Sequence, residues 1–243
     1  MSLEQQVTAL VASANALTGA VNGKIGQIDQ KVAAAEQKFD SNIAQTRLEN
    51  AIFRQSKNQY GNLTGTSLDY FSKNGQYSID ITLYRTINSG VEWVDRDPEE
   101  KEIMTAMGLA GVTHFQPNIR VLKMVWSGYQ QGVHSSYSMY PNPIGNQSSY
   151  TTVASYAKLV SGSISGDWLS GVSGNWALCG KNYSGFPGRY LHAHPRVASA
   201  SGEVLFIWAA TVSGYVPLDK NAPKWGYWPS MYGENPFDAQ PGS

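Results

Sequence analysis

Two histidines separated by one residue are the side chains of this 243-residue chain best suited to hold a metal ion. On a strand, residues i and i+2 share a face, so His192 and His194 would point the same way, together with Tyr190 and Arg196. Two imidazoles are too few to hold a transition metal in a monomer. Three chains on a common axis would supply an octahedral set of six, which predicts one iron or zinc ion per trimer. The alternative is a pair of surface or interface histidines that only form hydrogen bonds.

The remaining polar residues suggest no catalytic constellation. The paired acids Asp95 with Asp97 and Glu99 with Glu100 are explained by a turn and by the first turn of a helix, where carboxylates are favourable. The sequence contains neither a phosphate-binding glycine loop nor a Gly-x-Ser-x-Gly elbow. The single cysteine, Cys179, is expected to be an ordinary buried thiol. We therefore expect a protein that binds, and not an enzyme.

Aromatic residues near the C-terminus offer a second kind of site. Exposed rings bordered by Asn, Asp and Ser bind sugar faces and protein patches, because they give contact area at little entropic cost. The other interpretation is core filling. The predicted receptor-binding residues are Trp225, Tyr227, Trp228 and Tyr232.

A long apolar stripe at the N-terminus predicts how three chains would associate. Apolar residues recur every three or four positions over residues 1–57, which keeps one narrow face of a helix apolar. The predicted trimerisation residues are Leu3, Val7, Leu10, Leu17, Val21, Ile25, Ile28, Val32 and Phe39, and Ala14, Ala35 and Ile43 continue the stripe. A stripe this narrow favours packing against other helices, although a surface helix folded back on the rest of the chain is an alternative.

The spacing of the stripe repeats after about 18 residues in five turns, which is the period of a straight α-helix and predicts a bundle with weak supercoil. Gly19, Gly23 and Gly26 interrupt this segment, and each costs about 1 kcal/mol relative to alanine inside a helix. Either the glycines let helices approach closely, or residues 18–26 form a joint between two shorter helices.

The rest of the chain favours a β-rich domain. Segments of alternating or continuous apolar residues, separated by glycine, predict strands at 77–84, 91–94, 119–126, 151–160, 163–169, 175–179, 189–194 and 204–212. Asp97 and Pro98 predict one short helix over 98–107. The fold class is therefore α+β, with a helical stalk at 1–57 and a β-rich head at 58–243 in an intertwined homotrimer.

Composition narrows the possible partners. Lys and Arg number 18, Asp and Glu also number 18, and no basic cluster occurs, so nucleic acid is not an expected partner. The N-terminus lacks the pattern of a signal peptide, and no apolar run approaches the length of a membrane span. We expect a protein that is made in a cytoplasm and does not insert into membranes.

Residues 10–29 carry the elements Asn-x-Leu and Val-Asn-Gly-Lys-Ile-Gly-x-Ile-Asp. This stretch resembles the start of tail-fibre and tailspike proteins of bacteriophages, especially those that infect Pseudomonas-like hosts. The resemblance covers about the first 45 residues and does not extend into the head. The pair His192 and His194 separately resembles the His-x-His motif by which trimeric short tail fibres hold an axial metal.

The resemblance implies a homotrimeric virion component in the phage tail that mediates adsorption to the host cell. Its N-terminal segment would dock to tail or baseplate proteins, and its head would contact host surface polysaccharide or lipopolysaccharide. A purely structural baseplate or collar component is the alternative, and a tailspike hydrolase of surface polysaccharide is a third hypothesis.

Overall fold

The computed structural model describes residues 2–49, 52–147 and 150–232, and it divides the chain into two compact units, Met1–Glu49 and Asn50–Ser243. The first unit is a single helix and the second is rich in strands. The α+β class predicted from the sequence is confirmed. Among the described helices, none is long and apolar enough to cross a membrane.

The first unit is helix α1, Leu3–Glu49, which is continuous through Gly19, Gly23 and Gly26. Of the two alternatives for these glycines, the joint at residues 18–26 is therefore absent. All side chains from residue 2 to residue 41 are exposed. The side chain of Ile43, which the stripe includes, lies outside the described residues.

The second unit contains thirteen strands within its described residues, one helix, α2 (Pro98–Ala106), and two short 3-10 turns (Trp93–Asp95 and Asp167–Leu169). The strands are β1 (Leu63–Thr64), β2 (Ser67–Leu68), β3 (Phe71–Lys73), β4 (Ser78–Ile87), β5 (Ile119–Ser127), β6 (Met139–Pro141), β7 (Gly145–Asn146), β8 (Thr151–Ser161), β9 (Ile164–Ser165), β10 (Ala177–Tyr183), β11 (Tyr190–Leu191), β12 (Arg196–Val197) and β13 (Ser201–Ser213).

Five of these strands form an antiparallel sheet in the order β10, β8, β13, β5, β4. Both faces of this sheet are covered. One face packs with the short strands and the second 3-10 turn around Trp126, Trp168 and Phe206. The other packs with α2 and residues 216–228 around Tyr156 and Trp225. A sheet that is buried on both faces needs apolar residues on both faces. The sequence of β13 is accordingly a nearly continuous apolar run.

Local sequence signals explain several elements. In β4, Ile79 and Ile81 are buried while Ser78 and Asp80 are exposed, as the alternating pattern predicted. The predicted helix over 98–107 is confirmed as α2: Asp97 Oδ1 accepts a hydrogen bond from the main-chain N–H of Glu100 at 2.9 Å, and Pro98 begins the helix.

Three predicted strands were wrong in whole or in part. Residues 93–95 form a 3-10 turn where a strand was predicted at 91–94. The prediction at 163–169 covers a two-residue strand followed by the 3-10 turn Asp167–Leu169. At 189–194 only Tyr190–Leu191 is a strand. Each segment is short, so tertiary contacts outweigh its weak local preference.

The helical segment also ends earlier than residue 57. Helix α1 ends at Glu49, and residues 52–59 belong to the second unit. The main-chain N–H of Arg54 donates to Pro229 O and that of Gln55 donates to Thr211 O, both at 2.8 Å. The helical stalk predicted over 1–57 includes most of this stretch. Its side chains instead satisfy buried main-chain groups, as Gln59 does at Trp208 O and Gly226 O.

Candidate functional site

A polar groove on the second unit contains both histidines of the His-x-His motif. Three elements meet there: the turn at Gly166, strand β10, and the segment between β11 and β12. The volume of the groove is about 380 Å³, within the range of small-molecule sites. Its lining residues are Gly166, Asp167, Ser170, Lys181, Tyr183, His192, His194 and Arg196. We call it the His192 groove.

The segment that carries the histidines is extended although only its ends pair as strands. Leu191, Ala193 and Val197 are buried, whereas His192 and His194 are half-buried and Arg196 is exposed. This alternation turns His192, His194 and Arg196 toward the same side. The shared face expected from the spacing is therefore present without a continuous strand.

Asp167 fixes the geometry of the groove. Its Oδ2 accepts a hydrogen bond from the main-chain N–H of His194 at 2.7 Å, and its Oδ1 accepts one from the hydroxyl of Tyr183. The carboxylate therefore connects the second 3-10 turn to β10 and to the histidine segment. The φ angle of Asp167 is +46°, a left-handed conformation that Asp tolerates better than most residues and that occurs preferentially at functional sites.

Burial determines the protonation of two groups in the groove. It lowers the pKa of His194 below the ordinary 6.5, and nearby Arg196 acts in the same direction, so the imidazole of His194 is neutral at neutral pH. Burial and the hydrogen bond to Asp167 raise the pKa of Tyr183, whose hydroxyl therefore remains a donor.

Two cationic side chains of the groove form no salt bridge with a carboxylate of the described residues. The salt bridges of the described residues involve Arg85, Arg96, Lys158 and His194, and neither Lys181 nor Arg196 takes part in one. Lys181 lies over the ring of Tyr183 at 4.9 Å, and Arg196 donates to Ser136 Oγ at 3.3 Å. Since the lining contains one carboxylate against these two cations, the groove carries a net positive charge.

Comparison of the sequence with protein-family models and with curated proteins gives no match. The arrangement of side chains in the groove is therefore the main guide to its chemistry.

The two imidazoles do not share a metal-binding geometry in this conformation. Their ring centres are 6.1 Å apart and the rings are nearly perpendicular. Two imidazoles on adjacent coordination positions of one metal have ring centres about 4.5 Å apart, given metal–nitrogen distances of about 2.0–2.1 Å. His192 also packs against Tyr140 and Tyr190, at 5.0 and 5.1 Å between ring centres. Adjacent positions in a six-imidazole cage would require at least one of the two side chains to rotate.

Within the described residues of one chain, no group of three or more His, Cys, Asp or Glu side chains is arranged so that it could hold a metal ion. A cage assembled from three chains is a different arrangement, and the iron or zinc site at a trimer axis stays a prediction.

The aromatic residues near the C-terminus occupy two different environments. Trp225 is only 3% exposed, its indole N–H donates to Trp208 O at 3.0 Å, and its own carbonyl accepts from the hydroxyl of Tyr156 at 2.7 Å. This ring fills the core, which corrects its assignment as a receptor contact. Tyr227 and Trp228 are half-buried against the same core, whereas Tyr232 is 46% exposed. Of the four, Tyr232 is the most exposed, and Lys57 Nζ lies 4.9 Å from the centre of its ring.

The predicted trimerisation residues are all exposed in the single chain. Their exposed fractions lie between 48% and 77%. Because α1 is continuous and turns by about 100° per residue, the nine side chains fall within an arc of about 80° on one face. Gly19, Gly23 and Gly26 fall on the opposite face by the same geometry.

Sequence analysis missed the residues that complete the groove. Asp167, Lys181 and Tyr183 are far apart in sequence from the histidines, and only the fold brings them together. The one local signal was Gly166-Asp167, a pair suited to an unusual backbone turn. Cys179 is buried, and burial raises the pKa of its thiol to about 11, so it is not a reactive nucleophile.

Proposed function

We propose that this protein is a homotrimeric fibre protein of a bacteriophage tail that binds the host cell surface without catalysis. The supporting observation is the stripe of nine exposed apolar side chains on one face of a 47-residue helix. Soluble proteins rarely leave a continuous apolar surface of this length uncovered, and helices derive most of their stability from packing such a face. Burying one of these side chains fully contributes about 1.5–3 kcal/mol.

The number three and the phage tail come from the resemblance of residues 10–29. In such an assembly, helix α1 would form a nearly straight three-helix bundle and would dock to tail or baseplate proteins. Localisation in the virion, after synthesis in the host cytoplasm, follows from the same proposal.

The heads are proposed to be self-contained. Both cores of the second unit are closed by residues of one chain, including the fully buried Trp126, Trp168 and Tyr156. A chain that completes its own core has no need to exchange strands with its neighbours. This favours three separate heads at the end of a helical bundle over the intertwined trimer expected from the sequence.

Adsorption would depend on avidity, since three heads on one stalk multiply weak contacts by a factor of about 10²–10⁴. A fluorescent full-length chain, applied to a panel of Gram-negative strains that includes Pseudomonas, tests this. The wild type should label at least one strain. An Ile25→Gln, Ile28→Gln variant with intact head folding should lose at least tenfold in labelling.

A matched control places Gln30→Ala and Gln37→Ala on the opposite face of α1, and this variant should label cells as the wild type does. Equal labelling by the stripe variant and the control would contradict the avidity mechanism.

The structural alternative is a baseplate or collar component without receptor contact. It would be favoured if no strain is labelled and antibodies place the protein at the baseplate of the particle. The hydrolase alternative has less support in the groove, because glycoside hydrolysis usually needs two carboxylates and the described lining contains only Asp167. New reducing ends after incubation with host polysaccharide would favour it.

A further inference from the structure

We infer that the His192 groove binds an anionic saccharide, a sugar that carries a carboxylate or phosphate group. This inference rests on the proposed function, since it names the chemical class of the host-surface ligand that the head would contact. The evidence is a pair of cations without a salt-bridge partner among the described residues, in a groove whose rim carries the exposed ring of Tyr190.

The charge of the groove favours an anion. Lys181 and Arg196 both line it and are exposed, and neither forms a salt bridge with a carboxylate of the described residues. Asp167 is the single carboxylate of the lining, and both its oxygens already accept hydrogen bonds, from Tyr183 and from His194. The two cations are therefore available to a ligand.

The preorganisation of the groove indicates a binding site more than a solvated surface. Asp167 holds the second 3-10 turn, β10 and the histidine segment in one arrangement through two hydrogen bonds, although its own backbone adopts a left-handed conformation. Hydrogen bonds between a charged side chain and an anion are about twice as strong as neutral ones, and a fixed site loses less entropy on binding.

The aromatic rim favours a sugar over a small inorganic anion. His192 stacks on Tyr140 and contacts the tilted ring of Tyr190, which is 70% exposed. A flat, exposed ring next to hydrogen-bonding groups suits the apolar face of a pyranose, whose hydroxyl groups reach the neighbouring polar side chains. His192 and Ser170, both in the lining, supply such groups.

The test compares two ligands on the unmodified full-length chain. The first probe is an oligogalacturonate of four residues, and the second is its methyl ester, which has the same sugars without the charges. Mannose 6-phosphate serves as the phosphate-bearing probe. Ligand-observed NMR titration should show binding of the charged saccharides, at least tenfold weaker binding of the ester, and weaker binding of the charged probes at high ionic strength.

Two variants locate the binding. Lys181→Gln and Arg196→Gln should each weaken binding of the charged probe about tenfold or more. Lys224→Gln, which removes an exposed lysine outside the groove, should leave it unchanged. Because the comparison of acid and ester uses the wild type, it does not depend on whether a variant folds.

Three results would overturn the inference: no binding of either charged probe at millimolar concentration, equal binding of acid and ester, or tighter binding of a tetra-aspartate peptide than of the charged saccharides. The last would assign the groove to an acidic protein segment. A chain that is monomeric but discriminates acid from ester would contradict the trimeric fibre and keep the groove. A trimer that binds acid and ester equally would keep the trimeric fibre and contradict the assignment of the groove to an anionic saccharide.

Discussion

Oδ2 of Asp167 accepts the main-chain N–H of His194 at 2.7 Å, and this hydrogen bond joins a strained turn to the segment that carries both groove histidines. Replacement Asp167→Ala leaves that N–H and the hydroxyl of Tyr183 without their acceptor. We expect the free energy of unfolding to fall by about 1–3 kcal/mol, measured by urea denaturation.

Asp167→Asn keeps one acceptor oxygen and should lose less stability than the alanine variant. Asp80→Ala removes an exposed carboxylate from β4 and serves as the control, with a change within about 0.5 kcal/mol. Equal stability of Asp167→Ala and Asp80→Ala would show that the turn does not depend on this carboxylate.

The lowered pKa of His194 makes the stability of the head depend on pH. Burial favours the neutral imidazole in the folded state, so between the lowered pKa and the ordinary 6.5 the unfolded chain binds more protons than the folded one. The free energy of unfolding should therefore fall as the pH is lowered from 6.5. Urea denaturation between pH 7.5 and 5 measures this fall.

His194→Gln should flatten that pH dependence, since the variant has no imidazole to protonate at this position. His114→Gln, at an exposed histidine, should retain the wild-type slope. A His194→Gln variant with an unchanged slope would place the responsible group elsewhere.

Trp225 is predicted to stabilise the head, and Tyr232 is not. Trp225→Ala removes a ring that is 3% exposed and its hydrogen bond to Trp208 O, so we expect a loss of about 3–5 kcal/mol. Tyr232→Ala changes an exposed ring and should cost less than about 0.5 kcal/mol. Chemical denaturation of both variants, monitored by far-UV circular dichroism, measures the two losses in the free energy of unfolding. An unfolding midpoint for Trp225→Ala equal to that of the wild type would contradict the packing described for this residue.

The three glycines of α1 should be replaceable by alanine. They lie on the face opposite the apolar stripe, and no atom lies within 4 Å of a Cβ built at any of them. Each replacement should stabilise the helix by about 1 kcal/mol, seen as a higher midpoint of helix melting. Loss of self-association in the Gly19→Ala, Gly23→Ala, Gly26→Ala variant would instead place the glycine face in a helix contact.

The elements predicted correctly are those whose sequence signal is local and strong. The stripe of α1, the alternation in β4 and the Asp97-Pro98 start of α2 each follow from the residues within the element itself. Where the signal depends on distant partners, prediction failed. Residues 54–59 are polar, and hydrogen bonds to main-chain carbonyl groups of β13 and of the C-terminal segment explain why Arg54, Gln55 and Gln59 are buried.

For the same reason, the sequence predicted the two histidines of the groove but not the side chains that reach it from β10 and from the turn. His192 and His194 are neighbours in sequence, so their common side followed from the alternation of an extended chain. Lys181 and Tyr183 reach the groove from β10, and Asp167 reaches it from a turn, positions that no periodicity reveals. Trp225 shows the converse: a residue type common at binding surfaces is also common in cores, and burial distinguishes the two only in the folded chain.

Native mass spectrometry of the full-length chain tests the proposed association most directly. The exposed stripe of α1 predicts self-association, and with the resemblance of residues 10–29 it predicts a species at three times the 26.5 kDa mass of one chain. The Ile25→Gln, Ile28→Gln variant should shift toward monomer. The same spectrum reports whether one transition-metal ion accompanies the trimer, which is the separate prediction for His192 and His194. A wild-type chain that is monomeric at micromolar concentration would contradict the trimeric fibre.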